Sequence, residues 1–232
     1  MTASLSSKSQ SQTPASMPLV INRLAIRRAG RVLLNEMSWQ LSAGQAIIIK
    51  GANGSGKTSL LRTIAGFIPP MSGDILLGDS RFDPHQPNSP LTLSYYGMAD
   101  GLGEHLTGRD ALIRYQKFRQ RTVKQPDSPD IDRFSCAPFI DTEIKQLSTG
   151  QRQRIALTRL CLDLAAKEED NLWLLDEPDS GLDTEGRLAL EEMISDMLAS
   201  GGRVMIASHL SKKMRFAHRV LDLSLNSKQQ GQ

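Results

Sequence analysis

Apolar and polar residues alternate with a period of two in two segments near the start of the chain, Leu19 to Ile26 and Val32 to Leu41. The Ala29-Gly30 pair separates them, so the pattern predicts a β-hairpin. Other apolar runs are short and continuous, which is typical of strands buried on both faces. These predicted strands are Gln45 to Lys50, Leu93 to Tyr96, Leu172 to Leu175 and Val204 to Ala207, with a further short strand at Asp74 to Leu77.

Apolar residues also recur at helical spacing between the strands, and each such pattern predicts an amphipathic helix. Gly201-Gly202 ends the last of these helices, and Pro69-Pro70 is expected to stop the first. Thr107 and Asp110, three residues apart, resemble a capping box that opens another. The predicted helices are Thr58 to Phe67, Thr107 to about Thr122, Gln151 to Leu164 and Leu190 to Leu198.

Strands that alternate with helices predict an α/β fold, in which helices flank a mostly parallel sheet and the hairpin belongs to an antiparallel β subdomain. The chain has 232 residues. We assign one large domain to residues 18–225, with a mostly helical insertion at about 98–146. Residues 1–17 are rich in Ser and Gln and predict a disordered leader, and residues 226–232 predict a polar tail. No apolar run approaches the roughly 20 residues that span a bilayer, so we expect no direct membrane span.

Composition narrows the function only a little. The net charge is +3 and the basic residues are spread along the chain, which argues against nucleic acid as the main partner. The cysteines, Cys136 and Cys161, have no metal-ligand spacing, and we expect two free thiols in or near the core. That cysteine usage suits a reducing compartment.

A glycine-rich turn between the strand that ends at Lys50 and the following helix fits the phosphate-loop pattern G-x-x-x-x-G-K-[ST]. Glycines let consecutive backbone N–H groups converge on phosphate oxygens, and the helix adds the positive end of its dipole. We predict that Lys57 reaches the outer phosphates of the ligand and that the Thr58 hydroxyl ligates Mg²⁺. The predicted loop is Gly51, Ala52, Asn53, Gly54, Ser55, Gly56, Lys57 and Thr58.

Two carboxylates follow the strand Leu172 to Leu175, at the edge where parallel sheets bind ligands. Asp176 is the candidate for Mg²⁺, through water, and Glu177 for orienting and deprotonating the attacking water. An acidic pair after a strand, taken alone, is more often a solvated loop. The phosphate loop in the same chain favours the catalytic interpretation.

His209 ends the strand Val204 to Ala207 in a similar way. A strand-end histidine is usually structural or merely exposed. Here we expect it on the same sheet edge as Glu177, where a neutral imidazole bonds the γ-phosphate or the attacking water.

The segment Leu147 to Gln151 opens directly into an arginine-rich helix but contains no group able to do acid–base work. In chain order, the phosphate loop, this segment, the strand with its carboxylates, Ser180 to Asp183 and His209 resemble the nucleotide-binding subunit of an ABC transporter. The resemblance covers roughly Leu19 to Leu225. It implies a P-loop NTPase fold of ABC type.

The resemblance further implies a head-to-tail pair of subunits that sandwiches two ATP molecules. Ser148, Gly150 and Gln151 of one copy would face the γ-phosphate held by a second copy of the subunit, and Asp183 would communicate across the same interface. A helix terminus contributes only about 0.3 to 1 kcal/mol toward an anion, which is at most about fivefold in affinity. The segment can therefore sense an ATP bound elsewhere but cannot recruit one.

Two positions depart from the family's pattern. The residue that usually stacks on adenine is aromatic, and in this chain it falls near Arg28, whose guanidinium can still stack on a base. The glutamine that usually links γ-phosphate, Mg²⁺ and the transmembrane partner falls nearest Ala99. Alanine cannot ligate Mg²⁺, so we expect the coupling to differ in detail.

With these departures, the sequence resembles a narrower group within the family, the haem exporter ATP-binding subunits of cytochrome c maturation. The softer residues that carry this likeness are Gly101 to Thr107, Ile155 to Leu160 and Leu172 to Pro178. The likeness implies a peripheral ATPase on the cytoplasmic face of the bacterial inner membrane, with multi-span membrane partners of a haem-handling complex. An ATPase for a lipid or peptide exporter stays open as an alternative, as does a soluble ABC-type ATPase of DNA repair or translation. The helical insertion either contacts the membrane partner or presents an ordinary solvated face, with Phe118 in the core.

Overall fold

The protein is represented by a computed structural model that describes residues 17–86, 89–97, 101–118, 132–165, 171–208 and 214–225. Residues 1–16 of the predicted leader, the polar tail and the chain around Ala99 and His209 lie outside these ranges. In chain order the elements are β1 (Leu19–Arg28), β2 (Arg31–Leu41), β3 (Ala46–Lys50), α1 (Lys57–Ile64), β4 (Ser72–Leu77), β5 (Ser80–Arg81), β6 (Thr92–Tyr96), α2 (Gly108–Phe118), α3 (Thr149–Ala165), β7 (Asn171–Asp176), α4 (Thr184–Ala199), β8 (Arg203–Ala207) and β9 (Arg219–Asp222).

The continuous apolar strands form a parallel sheet, as predicted. Among the described strands its order is β6-β7-β8-β3-β9, and every neighbouring pair is parallel. The register of the central strands pairs Leu174 with Met205 and Ile48 with Ile206, so these strands end at a similar height in the sheet. All carboxyl ends therefore lie at one edge, where the chain after Lys50 and the chain after Asp176 both emerge, with β8 between them.

The side chains of β7 explain why its pattern is apolar without a period. Leu172 and Leu174 lie in the hydrophobic core on the α1 face of the sheet, whereas Trp173 and Leu175 lie in the core on the α3 and α4 face. All four are fully buried. A strand covered by helices on both sides has no solvent face, and a side chain of this size contributes about 1.5 to 3 kcal/mol on burial.

The alternating segments form the other sheet, which is antiparallel with the order β2-β1-β4-β5. The predicted hairpin is β1 and β2, and Arg28 pairs with Arg31 beside its turn. A Cβ placed on Gly56 would lie 3.3 Å from the Cβ of Leu33, so β2 packs against the start of α1. The antiparallel sheet thus approaches the edge at which the parallel strands end.

The end of α1 differs from the prediction. α1 stops at Ile64, before the prolines, because Gly66 has a φ of 76° and the Phe67 N–H donates to the Arg62 carbonyl at 2.9 Å. This left-handed glycine closes the helix with a Schellman-type turn. The described part of α2 ends at Phe118, and the predicted continuation to Thr122 lies outside the described residues.

The start of α2 confirms the predicted capping box. The Asp110 N–H donates to Thr107 Oγ1 at 3.1 Å, and that hydroxyl donates to Asp110 Oδ2 at 2.7 Å. Phe118 is 85% exposed, so its placement in the core is wrong. Short 3-10 helices at Ala137–Phe139 and Ile144–Gln146 lead into α3. Within the described ranges, no helix has the length and apolar character needed to cross a membrane.

Candidate functional site

The predicted phosphate loop joins β3 to α1 and has the backbone that its glycines allow. Gly51 and Gly56 have φ angles of 153° and 101°, and a Cβ on Gly51 would lie 2.4 Å from Ser55 Oγ. Gly56 is the residue before α1, and no side chain caps the helix there. The first N–H groups of α1 are therefore left for an anion.

The Lys57 side chain forms hydrogen bonds with the backbone of the same loop. Its Nζ donates to the carbonyls of Gly51 at 2.9 Å and Ala52 at 3.3 Å, and only 6% of the residue is exposed. Ser55 Oγ is buried without a hydrogen-bond partner in the described part of the chain. A buried ammonium and an unsatisfied hydroxyl at a helix start are the donor set that a polyphosphate requires, so these residues fit ATP.

The predicted metal ligands meet at the sheet edge. Thr58 Oγ1, in the first turn of α1, donates to Asp176 Oδ1, at the end of β7, at 3.0 Å. Asp176 is 3% exposed; burial raises the pKa of its carboxyl group, and the bond from Thr58 opposes that shift. A hydroxyl and a carboxylate in contact supply the hard oxygen ligands that Mg²⁺ takes, so the pair fits this ion.

Tyr95, which we did not predict, also reaches Asp176. Its hydroxyl lies 3.4 Å from Asp176 Oδ2 and accepts from Arg62 Nε at 3.4 Å. Burial raises the pKa of the Tyr95 phenol, with the Arg62 bond opposing, so the group is protonated at neutral pH and can donate. The sequence offers only a tyrosine near the end of a predicted strand, which by itself does not indicate a contact with Asp176.

Glu177 follows Asp176 in a left-handed conformation, with a φ of 52°. Its N–H donates to the Ala207 carbonyl at 2.8 Å, which anchors it to the end of β8. A residue other than glycine destabilises the fold by about 1 to 2 kcal/mol in this conformation. Such a conformation persists only where the surrounding structure holds the backbone in place. The side chain lines a cavity of about 320 Å³ together with Tyr96, Thr149, Arg152, Gln153, Ser180 and Gly181.

The end of β8 is tied to the loop after β7 by a buried pair. Ser208 Oγ donates to the Asp179 carboxylate at 3.1 Å, and both residues are less than a tenth exposed. This contact holds the chain immediately before His209 beside the loop that begins with Glu177. His209 itself lies outside the described residues. Ser208 and Asp179 were not predicted, although both lie inside the stretches that we singled out.

The segment before α3 satisfies its own backbone. The Ser148 N–H donates to Gln151 Oε1 at 2.9 Å, and the Gln151 N–H donates to Ser148 Oγ at 3.3 Å, which is a reciprocal capping box. A Cβ on Gly150 would lie 3.2 Å from the Gly181 carbonyl, so the segment packs on the loop after β7. Both hydrogen bonds join residues of this segment to each other, and neither reaches the phosphate loop of the same chain.

Asp183 is held between two helices. It caps α4 by accepting from the Gly186 N–H at 2.8 Å, and it forms an ion pair with Arg154 at 2.7 Å. The Gly186 N–H, and then Arg154, hold the pKa of the Asp183 carboxyl group below its usual range. Arg154 also donates to the Phe134 carbonyl at 2.8 Å. The sequence singled out Asp183 but not Arg154.

Arg28 lies at the exposed end of β1, on the hairpin that packs against the start of α1. Arg27 and Arg31 are exposed beside it. The hairpin therefore brings basic side chains to the same side of the molecule as the phosphate loop. The chain around Ala99 lies outside the described residues.

Comparison with known proteins agrees with this geometry. The ABC transporter family model matches residues 34–180. The cytochrome c biogenesis ATP-binding export protein CcmA of Methylococcus capsulatus is 35% identical over 208 residues, which are 89% of this chain and 98% of the relative. The protein of that name from Maricaulis maris is 33% identical over 202 residues, 87% of this chain and 90% of the relative.

Solved structures show the same fold. A putative ABC transporter ATP-binding protein from Pyrococcus furiosus has a TM-score of 0.71 at 19% identity, covering 90% of this chain and 98% of its own. A dimeric ATP-binding cassette in a post-hydrolysis state, bound to ADP and Pi, has a TM-score of 0.71 at 18% identity, covering 88% and 93%. Because the family and its curated relatives match over most of the chain, this protein belongs to the ABC transporter family, as an ATP-binding subunit of the CcmA type.

Proposed function

We propose that this chain is the ATP-hydrolysing subunit of a membrane complex for cytochrome c maturation, which drives haem export or the release of a haem-loaded chaperone. The observation that carries the ATPase part is the contact between Thr58 and Asp176 at 3.0 Å, directly beside the phosphate loop. The names of the curated relatives support the cytochrome c part.

In this proposal the nucleotide lies on the phosphate loop, with its phosphates on the first N–H groups of α1 and on Lys57. Thr58 and Asp176 would hold Mg²⁺, which supplies neutralisation of the charge that develops on the phosphate oxygens. Arg28 stacks on the adenine. Each of these side chains lies on an element that approaches the carboxyl edge of the parallel sheet.

The reaction breaks the bond between the γ-phosphorus and the bridging oxygen. Water attacks the phosphorus, its proton passes to Glu177, and ADP leaves with the electron pair of the broken bond. Glu177 suits this role because its backbone is anchored to β8 and its side chain opens into a cavity. His209 bonds the γ-phosphate or the attacking water from the end of β8.

Two copies of the chain sandwich the nucleotides. Ser148, Gly150 and Gln151 of one copy meet the γ-phosphate held by the other, and the Asp183 loop lies at the same interface. A helix terminus contributes about 0.3 to 1 kcal/mol toward an anion, so the segment acts on an ATP that the partner has already bound. Multi-span membrane subunits then anchor the pair at the cytoplasmic face of the bacterial inner membrane.

The test combines the capture of membrane partners with the phenotype of a deletion strain. A tagged chain is purified from detergent-solubilised membranes of its native host, and a strain lacking the gene is stained for covalent haem. We expect co-purified multi-span membrane proteins, and loss of c-type cytochromes that the wild-type gene restores but a Lys57→Ala variant does not. Normal c-type cytochromes in the deletion strain would contradict the haem role and favour an exporter for another substrate.

A further inference from the structure

A tyrosine at the end of β6 lies behind the carboxylate to which we assign Mg²⁺. Asp176 presents two oxygens: Oδ1 accepts from Thr58 on the phosphate-loop side, and Oδ2 lies 3.4 Å from the Tyr95 hydroxyl. With only Thr58 attached, the carboxylate could rotate about its terminal torsion, which is a broad one. A second donor on the other oxygen restricts that rotation.

The Tyr95 ring is itself held on three sides. The edge of its ring meets Phe67 with centroids 5.3 Å apart and an interplanar angle of 78°. Arg62 Nε donates to its hydroxyl at 3.4 Å, which leaves the phenol proton free to point at Asp176. The ring is partly buried and packs against the core on the α1 face of the sheet.

Gly97 supplies the third constraint. A Cβ at this position would lie 2.7 Å from Tyr95 Cε1 and 3.1 Å from its hydroxyl oxygen. Gly97 has no positive φ, so the absence of a side chain here serves the close approach of the ring and not a turn. The backbone after β6 is thus shaped around the tyrosine.

We propose that Tyr95 is a positioning residue for Mg²⁺: it fixes the orientation of the Asp176 carboxylate, and Gly97 makes room for it. The proposal rests on the assignment of Asp176 to the metal under the proposed function. It adds a contact from β6 that no part of that function requires. The strand that leads to the Ala99 region is thereby connected directly to the nucleotide site.

The experiment measures the affinity for ADP by calorimetry, once with Mg²⁺ and once with EDTA. The ratio of the two affinities, the Mg²⁺ factor, reports how much Mg²⁺ strengthens binding, and no hydrolysis is involved. Tyr95→Phe keeps the ring and removes only the hydroxyl. We expect the Mg²⁺ factor to fall by about three- to tenfold, the range for losing one ordinary hydrogen bond, with binding in EDTA unchanged. Gly97→Ala, which keeps the hydroxyl but displaces the ring, should lower the factor in the same way.

Tyr115→Phe is the matched control, because its hydroxyl also contacts a carboxylate, that of Asp163, at 2.9 Å but outside the nucleotide site. It should leave the Mg²⁺ factor unchanged. Asp176→Asn separates the two levels of the argument. If Asp176→Asn leaves the factor unchanged, the metal assignment is wrong. If Asp176→Asn lowers it while Tyr95→Phe and Gly97→Ala match wild type, the metal assignment stands and the role of Tyr95 is wrong.

Discussion

The two helix starts that we assign to ATP differ in what their backbone N–H groups do. α1 begins after Gly56 with no side-chain cap, and Lys57 and Ser55 place further donors at the same point. α3 begins after Ser148, whose hydroxyl and backbone N–H both form hydrogen bonds with Gln151. The first start is open to a phosphate in a single chain, whereas the second has its own cap in place.

This difference suits the two roles that we propose for the helix starts, nucleotide binding by α1 and contact with the partner's ATP by α3. An open helix start with a buried lysine can bind nucleotide alone, because several donors converge on one anion. A capped start must exchange its internal bonds for bonds to phosphate, and each such exchange is close to neutral in free energy. In the proposed dimer, the α3 start would therefore respond to a phosphate presented by a second copy and would not compete for free ATP.

Removing the proposed base should have the largest effect. We expect Glu177→Gln to lower kcat by about 100- to 10,000-fold, the range for general acid–base catalysis, while ATP affinity stays near wild type. A dimer with trapped ATP should accumulate in size-exclusion chromatography. Glu185→Gln, in the first turn of α4, is the matched control and should hydrolyse ATP normally. Full turnover by Glu177→Gln would remove Glu177 from its role.

Breaking the open helix start comes next. Lys57→Ala removes the ammonium beside the loop, and we expect ATP affinity of the single chain to fall by about 100-fold, as for two charge-assisted hydrogen bonds. Fluorescence titration with a labelled nucleotide measures this loss. Arg114→Ala, which removes an exposed cation from α2, is the control and should keep wild-type affinity. Unchanged affinity in Lys57→Ala would contradict the assignment of the loop.

Blocking the capped start should separate binding from assembly. Ser148→Arg places a bulky side chain at the start of α3, and we expect single-chain ATP affinity to remain within about fivefold, since this start adds at most about 1 kcal/mol. ATP-driven dimerisation of a Glu177→Gln background should disappear. Light scattering with and without ATP reports the dimer. If Ser148→Arg instead weakens ATP binding by the isolated chain, the two starts are not independent.

The smallest effect concerns the ion pair behind the capped start. Asp183→Asn keeps a residue able to cap α4 but loses the charge paired with Arg154. The Gly186 N–H, and then Arg154, hold the folded pKa of Asp183 below its ordinary value of 3.8, so the charged carboxylate stabilises the fold above that pH and this contribution is lost as the pH falls through the folded pKa. The difference in melting temperature between wild type and Asp183→Asn should therefore shrink on acidification. A difference that grows would show that the pair is not stabilising.

Local chemistry explains which features could be predicted. The glycine spacing of the phosphate loop, the alternation in β1 and β2 and the capping box of Thr107 and Asp110 are each encoded by a few adjacent residues. Gly66 was missed as the end of α1 because Pro69-Pro70 offered a stronger stop signal nearby. Tyr95, Ser208 and Arg154 were missed because each acts on a residue distant in the chain, and no local pattern marks such a contact.

The sequence by itself determined the phosphate loop, the α/β alternation and the identity of the strand-end carboxylates, since these depend on backbone freedom, burial and residue type. Only the tertiary structure decided which side chains meet. Parallel pairing of β6 with β7 places Tyr95 behind Asp176, and the packing of α3 on the loop after β7 places Arg152 and Glu177 around one cavity. Strand order and register are collective properties of the fold, and they set distances between residues that are remote in the chain.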